Sequence, residues 1–531
     1  MSVPKKEKYL KLLINHSVWL LWSILYAFSF PTYNISVAIW FAFVPVIIFA
    51  YEKAYNETLK YAFFYSFIFF FLAFFWLYGF WAPSLFLIIP VYSIYYAFFF
   101  FCIAFIGKNL KSYRWILTPL IWISNELLRS TGFHGFPWNL LGDSQWNIPF
   151  LVQSADIFGV WGISFLIILV NSVIAEFFDT LIKSKSIKNA IEKNYFKSIF
   201  TISLFLINLL YGVFQYYNYK AISKKSPKEK LALLQPNIGS HEPWWSRRWE
   251  NYGILWKLNA EAAIQKPDII IWSETMVKNY IWFYLSNWRP DEEVNLFNIR
   301  FVKMPYEFNT PILLTSPSFV DNRNYNSADY IDPAVKEIQS NSKIHLVPFG
   351  EWMPGYDSLP IVKDIMNIEG AGAYWPSTNF NVIQGRKSRF RVLVCYEDIF
   401  AILARKFIKK RVNYFVNVTN DGWAYRLGFR HPMWQHLAGA TLTAISVRRP
   451  IARAANTGVS GIIEPNGKFS GNIGDYRRGF YIGEVPIVND EIETIYVRFG
   501  YVFPYLVLLV TFTIFIFTFI KTRKINSALA K

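Results

Sequence analysis

The chain has 531 residues, of which 53% are hydrophobic, 20% aromatic and only 17% charged. So apolar a composition excludes an ordinary soluble protein of this length and points to a membrane protein. Lysine and arginine outnumber the acids 54 to 36, a net charge of +18, and where those cations fall decides whether nucleic acid or lipid is their partner.

Apolar stretches with few or no charges at about 12–30, 35–51, 61–81, 84–106, 115–128, 150–175 and 198–217 predict seven spans, each near the roughly 20 residues a bilayer requires. Tyr501 to Ile520 carries no charge and predicts an eighth. Ala27-Phe28-Ser29 loosely resembles a signal-peptidase site, but the six further spans behind it point to an uncleaved anchor. Cys102 sits in the apolar run FFFFCIAFI and is not expected to pair with Cys395, the other cysteine. Neither a CxxC motif nor a Cys/His cluster suggests a metal, and nothing suggests a nucleotide, so no cofactor is expected.

Basic residues gather in alternate connections. Lys5, Lys6, Lys8 and Lys11 precede the first span, Lys53 and Lys60 follow the second, and Lys108, Lys111 and Arg114 follow the fourth. Lys183, Lys185, Lys188, Lys193 and Lys197 follow the sixth; Lys521, Arg523 and Lys524 follow the last. The connections between carry only Arg129. This positive-inside pattern places both termini in the cytoplasm and accounts for much of the basic excess without nucleic acid. Parity then puts the chain outside after seven spans. The expected division is a membrane domain at 1–217, an external globular domain at 218–498, and a final span with its tail at 499–531. Glu126, Arg129 and Asp156, in or near spans, could mark a transport path; an inter-helix ion pair or an interfacial position is the preferred reading.

Within 218–498, four short apolar runs are each followed at once by polar residues. They are IIIW before Ser273-Glu274-Thr275, IHLVPF before Gly350-Glu351, RVLV before Cys395-Tyr396-Glu397, and YFVNV before Thr419-Asn420-Asp421. Continuous apolar runs of this length suit strands covered on both faces. Longer segments between them, and 428–448 after the last, suit helices, which argues for an α/β domain on a sandwiched sheet. Polar groups at neighbouring strand ends can converge on one site. Taken singly, each is better explained by a cap or a turn. An unpaired cysteine usually just packs. To act as a nucleophile, Cys395 needs a base. None of His16, His134, His241, His345, His431 and His436 sits at a strand end as the acids do. A carboxylate with a lysine beside it would serve: the carboxylate takes the thiol proton, and the ammonium lowers the thiol pKa and stabilises an oxyanion.

WSETM, SKIHLVPFGEWMP and VLVCYEDIF, in that order, resemble the Glu–Lys–Cys set of the nitrilase superfamily, and the wording is closer still to its membrane branch, the apolipoprotein N-acyltransferases. The resemblance implies about eight helical spans plus an external αββα sandwich. It implies Glu274 as general base, Lys343 as catalytic lysine and Cys395 as nucleophile, supported by Glu351, Tyr396, Glu397 and Trp244. Trp244 follows Gln235-Pro236-Asn237-Ile238, which is similar to the family's QxNI segment. Tyr325-Asn326-Ser327 and Asn420-Asp421 match further family stretches. ELLRSTGFHGFPWNLLGDSQ resembles the family's membrane signature, with Glu126, Arg129, Phe136, Pro137, Trp138 and Gln145.

What the resemblance implies is acyl transfer from a phospholipid, through a cysteine thioester, to the N-terminal cysteine amine of a diacylglyceryl-modified lipoprotein. It also implies a multi-pass protein of the bacterial inner membrane with its catalytic domain on the periplasmic or outer face. Three stretches depart from the family's wording. Thr443 and Ser446 occupy places where the family usually carries Arg and Glu, and the family's QGN and NDAWF read QPN and NDGWA here. The altered 443–446 stretch keeps a membrane-tethered amidase or other hydrolase as the alternative. A transporter or scaffold without catalysis is a third reading, opposed by the intact Glu274, Lys343 and Cys395.

Overall fold

The computed structural model describes residues 5–79, 82–132, 135–239, 243–287, 293–348, 350–352, 358–360, 374–422 and 430–529. It divides into two compact units, Met1–Gln215 with Arg498–Lys531, and Tyr216–Val497.

The first unit is helical. Among the described residues six helices are long and apolar enough to cross a membrane: Lys6–Phe28, Tyr55–Gly79, Ile88–Asn109, Val160–Ser184, Ile187–Lys225 and Val502–Arg523. The stretch expected to span at 35–51 is broken into a short 3-10 turn at Ser36–Ala38 and helices Ile39–Ala42 and Val44–Glu52. Pro45, in the first turn of the last of these, lacks the N–H that a continuous helix would need there. The stretch expected at 115–128 is a 17-residue helix, Arg114–Ser130. The span expected at 150–175 starts later, at Val160, because Gly159 turns the chain at φ 66. Glu126 and Arg129 bond to nearby backbone. Arg129 donates to the carbonyls of Phe136 (3.0 Å), Trp138 (3.1 Å) and Asn139 (3.3 Å), and Glu126 accepts from the N–H of Leu141 at 2.6 Å. The charged pair satisfies the irregular backbone that follows its own helix, a requirement wherever water is excluded. Gln145 does similar work, accepting from Trp40 and donating to the Ser36 carbonyl.

The second unit holds twelve strands among the described residues: β1 Lys228–Gln235, β2 Ile269–Ile271, β3 Ile312–Val320, β4 Arg323–Ile331, β5 Gln339–Ser342, β6 Ile383–Gln384, β7 Arg389–Val394, β8 Tyr414–Thr419, β9 Ile451–Ala455, β10 Gly461–Ile463, β11 Phe469–Gly471 and β12 Gly479–Pro486. They form two six-stranded sheets, ordered β12-β1-β2-β3-β4-β5 and β11-β10-β9-β8-β7-β6. The strands β1, β2 and β3 are parallel, as are β7, β8 and β9.

Alternation within the apolar runs builds the layers. Leu231, Leu233, Ile269, Ile271 and Leu313 face Val392, Val394, Val416, Val418 and Ala454 in one buried cluster, the filling between the sheets. Their neighbours Ala232, Leu234, Ile270, Trp272 and Ile312 point the other way, into a second cluster with Leu255, Leu258, Phe297 and Phe301 of helices Arg248–Ile264 and Glu293–Glu307. β2, covered on both faces, is apolar along its whole length, and its polar residues begin at its end with Ser273 and Glu274. The arrangement is the αββα sandwich expected from the sequence.

One of the four expected strands is absent. The segment 344–348 is irregular, and the strand before it is the polar QSNS of β5. The backbone explains why. The N–H groups of Ile344 and His345 go to Glu397, and that of Val347 goes to Glu351, so they are not free for a ladder. Pro348 has no N–H to offer.

Candidate active site

Cys395 opens a short 3-10 turn directly after β7 and holds a left-handed φ of 56. Such a backbone is uncommon for a residue with a side chain and recurs at functional sites. Asn417, on neighbouring β8, donates to the Cys395 carbonyl at 2.7 Å and to the Leu393 carbonyl at 2.9 Å, pinning the turn. Cys395 is partly buried, whereas Cys102 is fully buried in the other unit.

Glu274 follows β2 and is buried. Asn326 of β4 donates to its Oε1 at 2.8 Å and the Asn420 N–H donates to its Oε2 at 2.9 Å, and the Cys395 side chain is close enough to act on its charge. Asn420 is itself held by Asn456 at 3.1 Å. Burial raises the pKa of Glu274 above the ordinary carboxylate range; Lys343 pulls it back and Glu351 pushes it up. A carboxylate held this way is a stronger base than a solvated one.

Lys343 follows β5 and its side chain is wholly buried. Its N–H bonds the Asn326 carbonyl at 2.9 Å, and its carbonyl accepts from Ser377 at 2.8 Å. Its ammonium contacts Glu351 Oε1 at 2.8 Å and lies 3.9 Å from Glu274 Oε1. Burial opposes its charge, but Glu351, Cys395 and Glu274 together hold it well above the usual lysine value. Burial pushes the Cys395 thiol up, Glu274 adds to that, and Lys343 works in the other direction. The ammonium therefore acts on the sulfur in the expected sense but does not outweigh burial: the resting group is a thiol.

The supporting residues divide. Glu351 accepts from Val347 N–H at 2.8 Å and so holds both the lysine and its own loop. Glu397 accepts from the N–H groups of Ile344 (2.6 Å), His345 (2.8 Å) and Val394 (2.7 Å), tying the segment after Lys343 to the strand that delivers Cys395. The Tyr396 hydroxyl donates to the Leu346 carbonyl at 2.6 Å, and its ring stands 5.4 Å from the Lys343 ammonium. Trp244 is placed otherwise. It is buried in the outer cluster beside Phe297, and its indole N–H donates to the Met276 carbonyl at 3.1 Å. It steadies the chain two residues beyond Glu274.

Of the six histidines, His134 and His241 lie outside the described residues, and two others stand close to the site. His345 packs its ring against Phe400 and Tyr396, and burial lowers its pKa to about 4, so it is neutral. His436 is fully buried between Asp398 (Nε2, 2.6 Å) and Asp421 (Nδ1, 3.1 Å), with Arg453 on the second oxygen of Asp398. Sequence reasoning set His436 aside because it sits within a helix, His431–Val447, and not at a strand end. The close approach of Gly439 makes the contact possible: a Cβ there would stand 2.8 Å from Ile399, on the Cys395 turn. Tyr374 was also missed. Its N–H bonds the Glu351 carbonyl at 3.0 Å, and its phenol is raised by burial and by Glu351. Thr443 and Ser446 are buried in His431–Val447, and the Ser446 hydroxyl bonds its own helix at Leu442.

Two families match the chain in tandem. The apolipoprotein N-acyltransferase N-terminal domain matches residues 23–173, and the carbon-nitrogen hydrolase family matches residues 230–489. Among relatives, apolipoprotein N-acyltransferase 1 of Treponema denticola is 27% identical over 93% of this chain and 94% of its own length. The apolipoprotein N-acyltransferase of Geobacter metallireducens is 28% identical over 94% of this chain and 93% of its own. The solved structure of Saccharomyces cerevisiae Nit3, a member of branch 10 of the nitrilase superfamily, covers 50% of this chain and 92% of its own at 16% identity and a TM-score of 0.35. With a membrane-helix family and a hydrolase family joined in one chain, and relatives aligned along nearly all of it, the chain belongs to the apolipoprotein N-acyltransferase family, acyltransferases of the carbon-nitrogen hydrolase superfamily.

Proposed function

We propose that the chain moves an acyl group from a phospholipid to Cys395 and from there to the N-terminal amine of a diacylglyceryl-modified lipoprotein. The observation that carries the reading is the placement of the partly buried Cys395 sulfur beside Glu274, with the Lys343 ammonium held at the same centre. Glu274 takes the thiol proton. The sulfur attacks the ester carbonyl, with Lys343 and the Tyr396 N–H facing the oxyanion. As the C–O bond breaks, Glu274 returns its proton to the lysophospholipid alkoxide, leaving a thioester. The lipoprotein amine then attacks, Glu274 accepts its proton, and the C–S bond breaks. Aminolysis must outrun water, which calls for a dry pocket.

The alternate-connection lysines support a bacterial inner-membrane setting with residues 218–498 on the periplasmic or outer face, between a membrane domain at 1–217 and a final span at 499–531. Intact-mass spectrometry of the purified chain with a phospholipid tests the first half-reaction. The expected result is one acyl adduct on Cys395, absent from Cys395→Ala. Release of free fatty acid with no transfer to an amine acceptor would make the protein a hydrolase instead.

A further inference from the structure

Thr419, the last residue of β8, is fully buried, and its hydroxyl lies 3.7 Å from Cys395 Sγ and 3.5 Å from Asp421 Oδ1. A hydroxyl carries one hydrogen, so it serves one of these acceptors at a time. Asp421 is fixed in place by His436, which is fixed in turn by Asp398 with Arg453 behind it. Burial alone would raise the Asp421 carboxyl; the imidazolium of His436 brings it below the ordinary value, so it stays an anion. The cluster is two carboxylates against two cations, and the Thr419 hydroxyl is its link to the sulfur.

The groups facing Cys395 are Glu274 after β2, Lys343 after β5, Glu351, and Asp421 after β8. Three are acids and one is a cation, in a buried site. A second donor to the sulfur therefore matters at the moment a thiolate forms. A thiol is a weak acceptor, so the hydroxyl belongs to Asp421 in the resting state. A thiolate accepts a charge-assisted bond of the same kind as the Asp421 anion does, and Asp421 Oδ1 is already served by His436 at 3.1 Å, so the newly formed thiolate, the acceptor still to be satisfied, draws the hydrogen.

We propose that Thr419 is a catalytic residue whose hydroxyl turns from Asp421 to Cys395 Sγ whenever the sulfur is a thiolate, with Asp421, His436, Asp398 and Arg453 as the positioning groups that take it back. The proposal rests on Cys395 being the nucleophile. No proton leaves Thr419: the thiol proton goes to Glu274 and on to the leaving alkoxide, and the hydroxyl only changes acceptor.

The test uses the full chain in detergent micelles as wild type, Thr419→Val and Thr419→Ser. Iodoacetamide alkylation of Cys395 is followed against pH by peptide mass mapping, which keeps Cys102 apart. Acyl-adduct formation with a diacyl phosphatidylethanolamine is followed in parallel. Thr419→Val is expected to move the alkylation profile up by about one pH unit, roughly a ten-fold slower reaction below the midpoint, and to slow the adduct with it. Thr419→Ser is expected to keep the wild-type profile. Should Thr419→Val not purify as a folded protein, Thr419→Ala removes the hydroxyl without its volume and reads the same shift. A hydroxyl-free variant whose profile coincides with wild type, while wild type forms the adduct, overturns the proposal. A wild type that alkylates at Cys395 but never forms the adduct overturns the nucleophile reading instead.

Discussion

The Lys343 ammonium is tethered to Glu351 at 2.8 Å and stands off Glu274 at 3.9 Å. The shorter contact takes one hydrogen of the ammonium, while Glu351 is itself fixed by the Val347 N–H. Glu274 consequently keeps its basicity, and the lysine keeps donors for an oxyanion. Glu351→Gln should loosen this tether and let Lys343 close on Glu274, which would pull the base down. Thioester formation is expected to slow roughly 10²-fold, the order that a misplaced catalytic group costs. A time course of acyl-adduct mass checks it, and a rate within experimental scatter of wild type would remove Glu351 from the mechanism.

Glu274→Gln keeps the shape and the carbonyl that accepts from Asn326 or Asn420, but it cannot take a proton. Single-turnover acylation should fall about 10²–10⁴-fold. The residual rate should rise with pH more steeply than in wild type, because the thiol must then ionise unaided from a pKa that burial holds high.

How far this site could be read beforehand differs from residue to residue. Glu274 and Cys395 were legible because each ends a continuous apolar run, and burial on both sheet faces forces that pattern. Lys343 was legible only through the family wording. Its strand is the polar QSNS, and the apolar IHLVP after it is not a strand at all, since Glu397 and Glu351 take the N–H groups that pairing would need. Thr419 and His436 left no periodic signal. One is the final residue of an apolar strand, the other a buried residue on a helix whose partners, Asp398 and Asp421, come from two other segments. The breaks at Pro45 and Gly159 were visible as residues, but hydropathy averages over them.

The buried His436 gives the catalytic unit a pH signature. Burial lowers its pKa, but Asp398 and Asp421 overcome this and raise it from 6.5 to about 9. A group raised on folding contributes stability that is fully present below about pH 6.5 and is lost as pH climbs through about 9. The full effect is on the order of 3 kcal/mol. The apparent Tm of the purified chain should therefore decline between pH 6.5 and 9. His436→Gln should flatten that slope whatever it does to the Tm itself. A wild-type slope already flat over this window would mean that the imidazole is neutral in the folded protein.

Glu397 poses the sharpest separation of positioning from chemistry. Its carboxylate accepts three backbone N–H groups: Oε1 takes Ile344 and His345, and Oε2 takes Val394. The first two belong to the segment after Lys343, and the third ends the strand that delivers Cys395, so one side chain sets the separation of lysine and sulfur. A carboxamide cannot replace it. Whichever way Gln turns, its NH2 group faces an N–H donor, and at least one buried amide loses its partner, at about 1–3 kcal/mol each. Glu397→Gln should therefore lower the Tm and the acylation rate together. The pH midpoint of Cys395 alkylation should stay near wild type in the molecules that remain folded, because the largest influences on the thiol are burial, Glu274, Lys343, Asp421 and Glu351. A shift of that midpoint with an unchanged Tm would assign Glu397 to the reacting groups and not to the frame that holds them.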